Sequence, residues 1–361
     1  MLTRPLTKVL AVMFILLALS ASAAGAFSSP GHRAIADVAQ DRLEPATRAA
    51  LGRILQDSDD LAPGALAAVA TWPDDVRARA AHGTIASGWT ADDVQEADEF
   101  NRDQPRNGEW HFVNLPLGAA QYPADPVSSG DPLRAFVGPD DIVHALNRAI
   151  EVLESPTATA GFSKRQAVRF VVHLVGDIHQ PLHVTTGYYD TKKASFKTKP
   201  VRIDDPTEAG TGGVLGDRGG NGLSFSASVE LHALWDRCLP NLAVTLACSA
   251  SNAQALAAGL RPLVTPPAIA AATTPGDHHT WAVAWATDSL EQAVAAKAYT
   301  VNLANGIKHV DSHTHEASVL ATITSPTKAA YTTPARAAAT ADQLTKAAVR
   351  LADLLNAIAW K

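Results

Sequence analysis

Apolar residues recur at intervals of three and four positions along most of the chain, a spacing that is typical of amphipathic helices. The most apolar of these segments runs from Phe162 to about His179, so we predict a buried central helix there. Because we find no internal repeat and no recurrent strand pattern, we predict an all-α fold with a single helical domain. The other predicted helices, several of which start at capping residues or prolines, span residues 32–43, 45–55, 140–153, 229–236, 277–298 and 335–360.

Two segments lack helical periodicity. Residues 101–126 are rich in proline, glycine and asparagine, and residues 185–216 contain glycine, proline, threonine and several lysines. We interpret the second segment as a long exposed loop. Its basic residues either contact a polyanionic substrate or are simply solvated, and we favour the solvated loop: Lys192, Lys193, Lys197, Lys199 and Arg202.

The first 26 residues have the features of a secretory signal peptide. Arg4 and Lys8 form a basic start, an apolar core follows, and Ala24-Gly25-Ala26 is a small-residue cleavage site. A retained membrane anchor is the alternative, but the apolar run is too short to span a bilayer well. We therefore predict cleavage after Ala26 and a mature domain of residues 27–361 that begins with Phe27.

Export changes the expectations for location and cysteine chemistry. We expect a soluble, monomeric protein without a membrane anchor in the periplasm or the extracellular medium, because no other segment has transmembrane length. In such a compartment Cys238 and Cys248 are expected to form one disulfide, with two free thiols as the alternative.

The charge balance bears on the class of substrate. The whole chain has 30 basic and 36 acidic residues, a formal charge of −6. Removing the signal peptide takes away two basic residues and no acidic one, so that 28 basic residues face 36 acidic ones and the charge becomes −8. A protein with this balance does not bind polyanions through bulk charge, so bound cations would have to supply the local attraction for a phosphodiester.

Two pairs of residues share a spacing that suits metal binding. His173 and Asp177, and likewise His232 and Asp236, are four positions apart and thus lie on one face of a helix. An ordinary hydrogen bond within each pair is the alternative. Both pairs lie among apolar residues, where a lone charge is costly unless it is paired or bound to a cation. With His183 close by in sequence, such histidine and carboxylate sets favour zinc over magnesium or calcium.

Further candidate residues are scattered over the first third of the chain. Asp74 follows a tryptophan and precedes Arg77 by three positions, and His111 lies in a mixed apolar stretch. His32 comes five residues after Phe27, the predicted new amino terminus. Each of these residues alone is compatible with a structural role.

Six segments follow one another in a recognisable order: F…GH at 27–32, WPDDVR at 72–77, WHFVN at 110–114, HLVGDIHQPLH at 173–183, DRGGN at 217–221 and LHALWD at 231–236. Taken together, these segments resemble the S1/P1 nuclease family, zinc-dependent single-strand endonucleases and 3′-nucleotidases. The resemblance covers nearly the whole mature chain, and its most specific segment is residues 173–183.

The resemblance implies the fold of the phospholipase C/P1 nuclease type with a trinuclear zinc site. It implies three sets of ligands for three Zn²⁺ ions. The first set is Asp74, His111, His173 and Asp177; the second is the amine and carbonyl of Phe27, with His32 and Asp177 as a bridge; the third is His183, His232 and Asp236.

The resemblance also implies an activity. Single-stranded DNA or RNA would be cleaved to products with a 5′-phosphate through a hydroxide that bridges two zinc ions. A 3′-nucleotidase activity is a second reaction that the resemblance implies. Asp74 and Asp177 would hold the catalytic ions, and Arg77 would stabilise the pentacoordinate phosphorus. Phe112, Asn114 and Asn221 would contact the substrate.

The chain departs from the family pattern at two of these positions. The family usually begins with tryptophan where this chain has Phe27, a change that backbone ligation should tolerate. Asn114 stands where family nucleases often have aspartate, so base preference is open. Phe112 either stacks on a base or is a packed core aromatic residue.

Two other functions remain as alternatives. Zinc-dependent phospholipases C share the implied scaffold and metal cluster, and an exported zinc-binding protein without catalysis is a third possibility. The remaining histidines are not predicted ligands. We interpret His278 and His279 as surface residues, and His309, His313 and His315 as part of a polar loop.

Overall fold

A computed structural model describes residues 27–124, 127–157, 161–227, 229–237, 253–311 and 315–360. The predicted signal peptide, the pair Cys238 and Cys248, and His313 lie outside the described residues.

Helices dominate the described part of the chain, as predicted. The seven predicted helices are all present with bounds that differ by at most four residues, whereas the helices Trp72–His82, Ala91–Asp103, Ala253–Leu260 and Pro266–Ala272 were not predicted. Among the described helices no single one is long and apolar enough to cross a membrane, although the bent pair Ala253–Leu263 and Pro266–Ala272 passes that test of length and composition jointly. The α-helices are α1 Ser28–Gln40, α2 Pro45–Gln56, α3 Ala65–Val69, α4 Trp72–His82, α5 Ala91–Asp103, α6 Ile142–Glu154, α7 Lys164–Ile178, α8 Pro181–Val184, α9 Pro206–Ala209, α10 Leu231–Asp236, α11 Ala253–Leu260, α12 Pro266–Ala272, α13 Trp281–Ala295, α14 Lys328–Tyr331 and α15 Pro334–Ala357. Short 3₁₀ helices span Asn107–His111, Pro132–Ala135, Arg261–Leu263 and His278–Thr280.

Helix α7 lies at the centre of the molecule. Ser163 caps its first turn, since its hydroxyl accepts a hydrogen bond from the backbone N–H of Gln166 while the Gln166 side chain accepts one from the N–H of Ser163. Every residue of α7 from Ala167 to Ile178 is buried, and the helix contacts α1, α4, α6, α13 and α15. The prediction of a buried central helix is therefore confirmed.

Small sheets were not expected from the sequence. The predicted loop at 185–216 contains a three-stranded antiparallel sheet of order β4-β3-β5, and a four-stranded sheet of order β7-β6-β9-β8 follows it. The prediction of a polar loop around His309 is wrong, because His309 pairs with Ser318 across the β8–β9 hairpin. The strands are β1 Leu115–Pro116, β2 Thr185–Thr186, β3 Tyr188–Asp190, β4 Arg202–Ile203, β5 Val214–Gly216, β6 Leu223–Ser226, β7 Val229–Glu230, β8 Asn302–Val310 and β9 Ala317–Ser325.

These sheets pack beside the helical core rather than replacing it. A second apolar cluster joins the sheets to α8, α10 and α14, and it includes Leu182, Tyr189, Leu223, Trp235, Tyr299 and Tyr331. Helix α8 contributes to both clusters, with Val184 in the main helical core and Leu182 in the second cluster, whereas the apolar residues of α10 lie in the second cluster. These two short helices supply the side chains of one predicted zinc set.

Candidate metal centre

Helix α7 presents His173 and Asp177 on one face, as their spacing predicts. Helix α1 packs closely against the same face, and the ring of His32 stacks on His173 with centroids 3.9 Å apart. Gly176 permits this approach, because a Cβ atom there would lie 2.5 Å from Nδ1 of His32. The histidine that follows Phe27 is thus held against the histidine and aspartate pair of α7.

The first group consists of Asp74, His111, His173 and Asp177. Oδ2 of Asp177 lies 2.9 Å from Nδ1 of His111 and 3.2 Å from Nε2 of His173. Oδ1 of Asp74 lies 3.8 Å and 3.7 Å from the same two nitrogens. On the other side of Asp177, Oδ1 lies 3.1 Å from Nε2 of His32. The two oxygens of Asp177 therefore face two different sets of side chains, as a bridging carboxylate requires.

Electrostatics distinguish the two imidazoles of this group. Burial, with a further contribution from Arg77, lowers the pKa of His111 to about 4, so this ring is neutral near neutral pH. Burial also disfavours a charge on His173, but the carboxylates of Asp177 and Asp74 outweigh burial and raise its pKa to about 9. His173 thus lies where the surrounding residues favour a positive charge.

The second group consists of His183, His232 and Asp236. Nδ1 of His183 lies 2.6 Å from the carbonyl oxygen of His111, and Nδ1 of His232 lies 2.7 Å from that of Gly219. Hydrogen bonds from Nδ1–H to these carbonyls leave a lone pair on each Nε2, and the two Nε2 atoms are only 3.1 Å apart. Oδ1 of Asp236 lies 3.5 Å from Nε2 of His232. A cation held between the three side chains would remove the repulsion between the lone pairs.

Buried polar atoms without hydrogen bonds indicate that the first group, too, is suited to hold a cation. Within the described residues, Oδ1 of Asp74 and Nε2 of His111 are buried without a hydrogen-bond partner, and Nε2 of His32 and Oδ1 of Asp177 face each other at 3.1 Å without hydrogen-bond geometry. Buried polar groups rarely remain unpartnered, because each costs about 1–3 kcal/mol. Imidazole and carboxylate donors at these separations fit Zn²⁺. The residues present therefore suit the metal that the sequence predicts.

Phe27 and Arg77 are the remaining residues of the predicted reaction centre. Phe27 is fully buried and directly precedes α1, with a φ of 49° that a non-glycine residue rarely adopts. Arg77 is half-buried on α4, and its Nη2 lies 3.7 Å from Oδ1 of Asp74. The guanidinium thus lies beside the first group.

The predicted substrate residues do not all lie together. Phe112 and Asn114 are partly exposed on the segment that follows His111. Oδ1 of Asn114 accepts a hydrogen bond of 2.6 Å from the hydroxyl of Thr186, and its carbonyl accepts one from Tyr188. Asn221 instead donates to the carbonyl of Arg218 within its own turn. Among the described contacts, none joins Asn221 directly to the first two residues.

The hydrogen-bond partners of Asn114 could not be predicted from any sequence pattern. Thr186 accepts a hydrogen bond of 2.9 Å from the N–H of Gly219, so it connects Asn114 to the 217–221 turn. The ring of Tyr188 packs edge-on against Phe136, with centroids 5.1 Å apart. Only the pairing of β1 with β2 and the folding of the 185–216 segment bring these residues together.

The buried carboxylate of Asp217 holds the 217–221 turn in place through hydrogen bonds. Its side chain is fully buried, and four hydrogen bonds of 2.8–3.2 Å reach its two oxygens. The donors are the N–H groups of Gly187 and Gly220 and the hydroxyls of Tyr189 and Tyr299. The turn that Asp217 fixes carries the Gly219 carbonyl, which orients His232. Asp217 is therefore a positioning residue for the second group.

Burial raises the pKa of Asp217 to about 6, although the N–H groups of Gly220 and Gly187 oppose the shift. The folded protein thus binds the proton more tightly than the unfolded chain does. The stabilisation from this group is complete below pH 3.8 and is lost as the pH rises through 6.

We expect Asp217→Ala to lower the free energy of unfolding at pH 7 by at least about 3 kcal/mol, because it leaves several buried donors unsatisfied. Asp217→Asn keeps an acceptor oxygen and should lose much less. Urea unfolding measures both variants, with the partly exposed Asp190→Ala as a control expected within about 0.5 kcal/mol of the unchanged protein. Equal stability of Asp217→Ala and the control would contradict the role of Asp217.

Comparison with known proteins bears on the identity of this centre. The chain is 24% identical over 211 residues to Endonuclease 3 of Arabidopsis thaliana, which covers 57% of this chain and 52% of that protein. It is 27% identical over 218 residues to Nuclease S1 of Aspergillus oryzae (strain ATCC 42149 / RIB 40), and this match covers 58% of this chain and 53% of that protein. The chain thus spans about half the length of the curated relatives that it matches. The family model described as S1/P1 Nuclease matches residues 27–360, and the chain therefore belongs to the S1/P1 nuclease family.

Proposed function

We propose that this protein is an exported, zinc-dependent nuclease that cleaves single-stranded DNA and RNA to products with a 5′-phosphate, and that it also acts as a 3′-nucleotidase. The observation that carries the proposal is the convergence of buried imidazoles and carboxylates from α1, α4, α7, α8 and α10 on one region. Family membership and two relatives named as nucleases support the same activity. Residues 1–26 would be the signal peptide and 27–361 the nuclease domain of an unanchored monomer.

Three Zn²⁺ ions are proposed, in the ligand sets that the sequence predicts. Asp74, His111, His173 and Asp177 would hold the first ion. The amine and carbonyl of Phe27, His32 and the second oxygen of Asp177 would hold the second, and His183, His232 and Asp236 the third. When bound, zinc acts as a Lewis acid on the phosphate and lowers the pKa of water to about 7.

The chain's own residues orient the proposed zinc ligands and would contact the substrate. The carbonyls of Ala70, His111 and Gly219 fix the rings of His173, His183 and His232, so each ring presents Nε2 to the centre. Arg77 would contact the phosphate, since it lies at the edge of the first group and is partly exposed. Phe112 would stack on a base, and Asn114 would contact the base edge beside it. Asn221 would contact the substrate from the 217–221 turn, which Thr186 connects to Asn114.

The direct test is hydrolysis by the purified chain that begins at Phe27. We expect release of acid-soluble nucleotides with 5′-phosphate ends from denatured DNA and from RNA, and much slower release from duplex DNA. A zinc chelator should abolish the release, and added zinc should restore it, because the ligands lie on separate elements and need the cation to hold them at close range. Hydrolysis of phosphatidylcholine without nucleotide release would overturn the proposal in favour of a phospholipase, and the absence of both would leave a zinc-binding protein.

A further inference from the structure

A separate group of side chains that could hold a metal ion lies away from the proposed catalytic centre. It consists of Glu154 at the end of α6 and of His278 and His279, which precede α13. The N–H of Ile142, at the start of α6, donates to the carbonyl of Phe112, next to His111. Because α6 rises about 1.5 Å per residue, Glu154 lies about 18 Å further along the helix. This group, the α6/α13 site, is therefore separate from the centre described above.

Both imidazoles point the same nitrogen at one carboxylate. Nε2 of His278 lies 2.9 Å from Oε1 of Glu154, and Nε2 of His279 lies 3.0 Å from Oε2. The two rings are 4.4 Å apart between centroids and tilted by 32°. Both histidines are partly exposed, in keeping with the predicted surface position, but the sequence did not indicate that they share a carboxylate.

The carboxylate itself is held in place. Oε1 of Glu154 accepts a hydrogen bond of 3.0 Å from the N–H of Ala359, after the last helix. The backbone donor thus holds the carboxylate at the end of α6 with its two oxygens next to the two histidines.

We propose that Glu154, His278 and His279 bind a further Zn²⁺ ion. Two imidazoles and one carboxylate form a ligand set that zinc favours, and ligands about 2.0–2.2 Å from zinc are about 3.4 Å apart in tetrahedral geometry. The two histidine–carboxylate separations, 2.9 Å and 3.0 Å, need to widen by about 0.4–0.5 Å to admit the ion. The half-buried position leaves a fourth place for water. The ion cross-links the end of α6 to the segment before α13, and the hydrogen bond from Ala359 joins the C-terminal segment to the same carboxylate.

The test compares zinc content between variants of the full mature chain after equilibration with zinc chloride and gel filtration. His279→Ala changes the most exposed of the three ligands and is expected to retain one zinc fewer per chain than the unchanged protein. Glu154→Gln, which still accepts from Ala359, is expected to give the same loss. His82→Ala removes an exposed histidine outside the site and should lose none.

Thermal unfolding gives a second readout. Added zinc should raise the midpoint of the unchanged protein more than that of His279→Ala or Glu154→Gln, because an ion that binds only the folded state stabilises it. Both measurements are differences between variants, so they do not depend on how many ions the catalytic centre holds. Equal zinc content and equal midpoints in all variants would overturn the site.

Discussion

Asp177→Asn is expected to abolish hydrolysis and to weaken the binding of at least two zinc ions. The asparagine keeps the shape of the side chain but removes the charge that faces His111 and His173 through one oxygen and His32 through the other. The loss of activity should exceed about 100-fold, the upper range for removal of a partner that only supports a ligand. Zinc content by elemental analysis and release of nucleotides measure the two effects.

Asp353→Asn is the matched control for this substitution. Asp353 is a half-buried aspartate on α15 that pairs with Arg42 at 3.7 Å, and it has no contact with the metal centre among the described residues. The control should retain zinc and activity. Circular dichroism should show the same helix content in both variants. If Asp177→Asn retained full zinc content and turnover, Asp177 would not be a bridging ligand.

Most of the helical framework could be predicted from the sequence because its periodicity is strong. Helix α7 is the clearest case, since an apolar segment flanked by the Ser163 cap and by Pro181 has few other solutions. The spacing of His173 and Asp177 fixed their common face before any tertiary contact was known. Local rules therefore suffice where one element carries both the packing signal and the ligands.

The β8–β9 hairpin shows where local rules failed. In β9, Val319, Ala321 and Ile323 alternate inward, but the frequent alanines of this chain make such a short alternation easy to overlook. In β8, Asn305 adopts a φ of 54° at a bulge, which breaks the alternation. Pairing between strands stabilises this hairpin, and single-sequence periodicity does not record pairing.

Contacts between segments that are distant in sequence could not be predicted either. Glu154 and His278 are 124 positions apart, and Asp217 meets Tyr299 from 82 positions away. No spacing rule links residues across such separations. Glu154 or Asp217 alone looks in sequence like an ordinary acidic residue of a surface or turn segment. Spacing alone indicated the pairs His173–Asp177 and His232–Asp236, whereas the full predicted ligand sets came from the family pattern. The proposed α6/α13 site follows from the tertiary structure.

Arg77→Ala is expected to lower kcat by about 10²–10³-fold while zinc content stays unchanged. The guanidinium lies beside Asp74 without belonging to either imidazole group, so it can stabilise charge on the reacting phosphate without holding an ion. Arg77→Lys keeps the charge but loses the planar pair of donors, and it should recover only part of the rate. Steady-state kinetics on a single-stranded oligonucleotide, with zinc measured on the same samples, test this expectation.

Arg79 provides the matched control, because it lies two residues further along α4 and pairs with Asp98 at 2.8 Å, outside the centre. Arg79→Ala should leave kcat and zinc content unchanged. Loss of zinc together with activity in Arg77→Ala would instead mean that Arg77 supports the carboxylate of Asp74, whose pKa it helps to lower. A change in rate at constant zinc assigns Arg77 to the phosphate, since only an interaction made in the transition state lowers kcat without disturbing the metal.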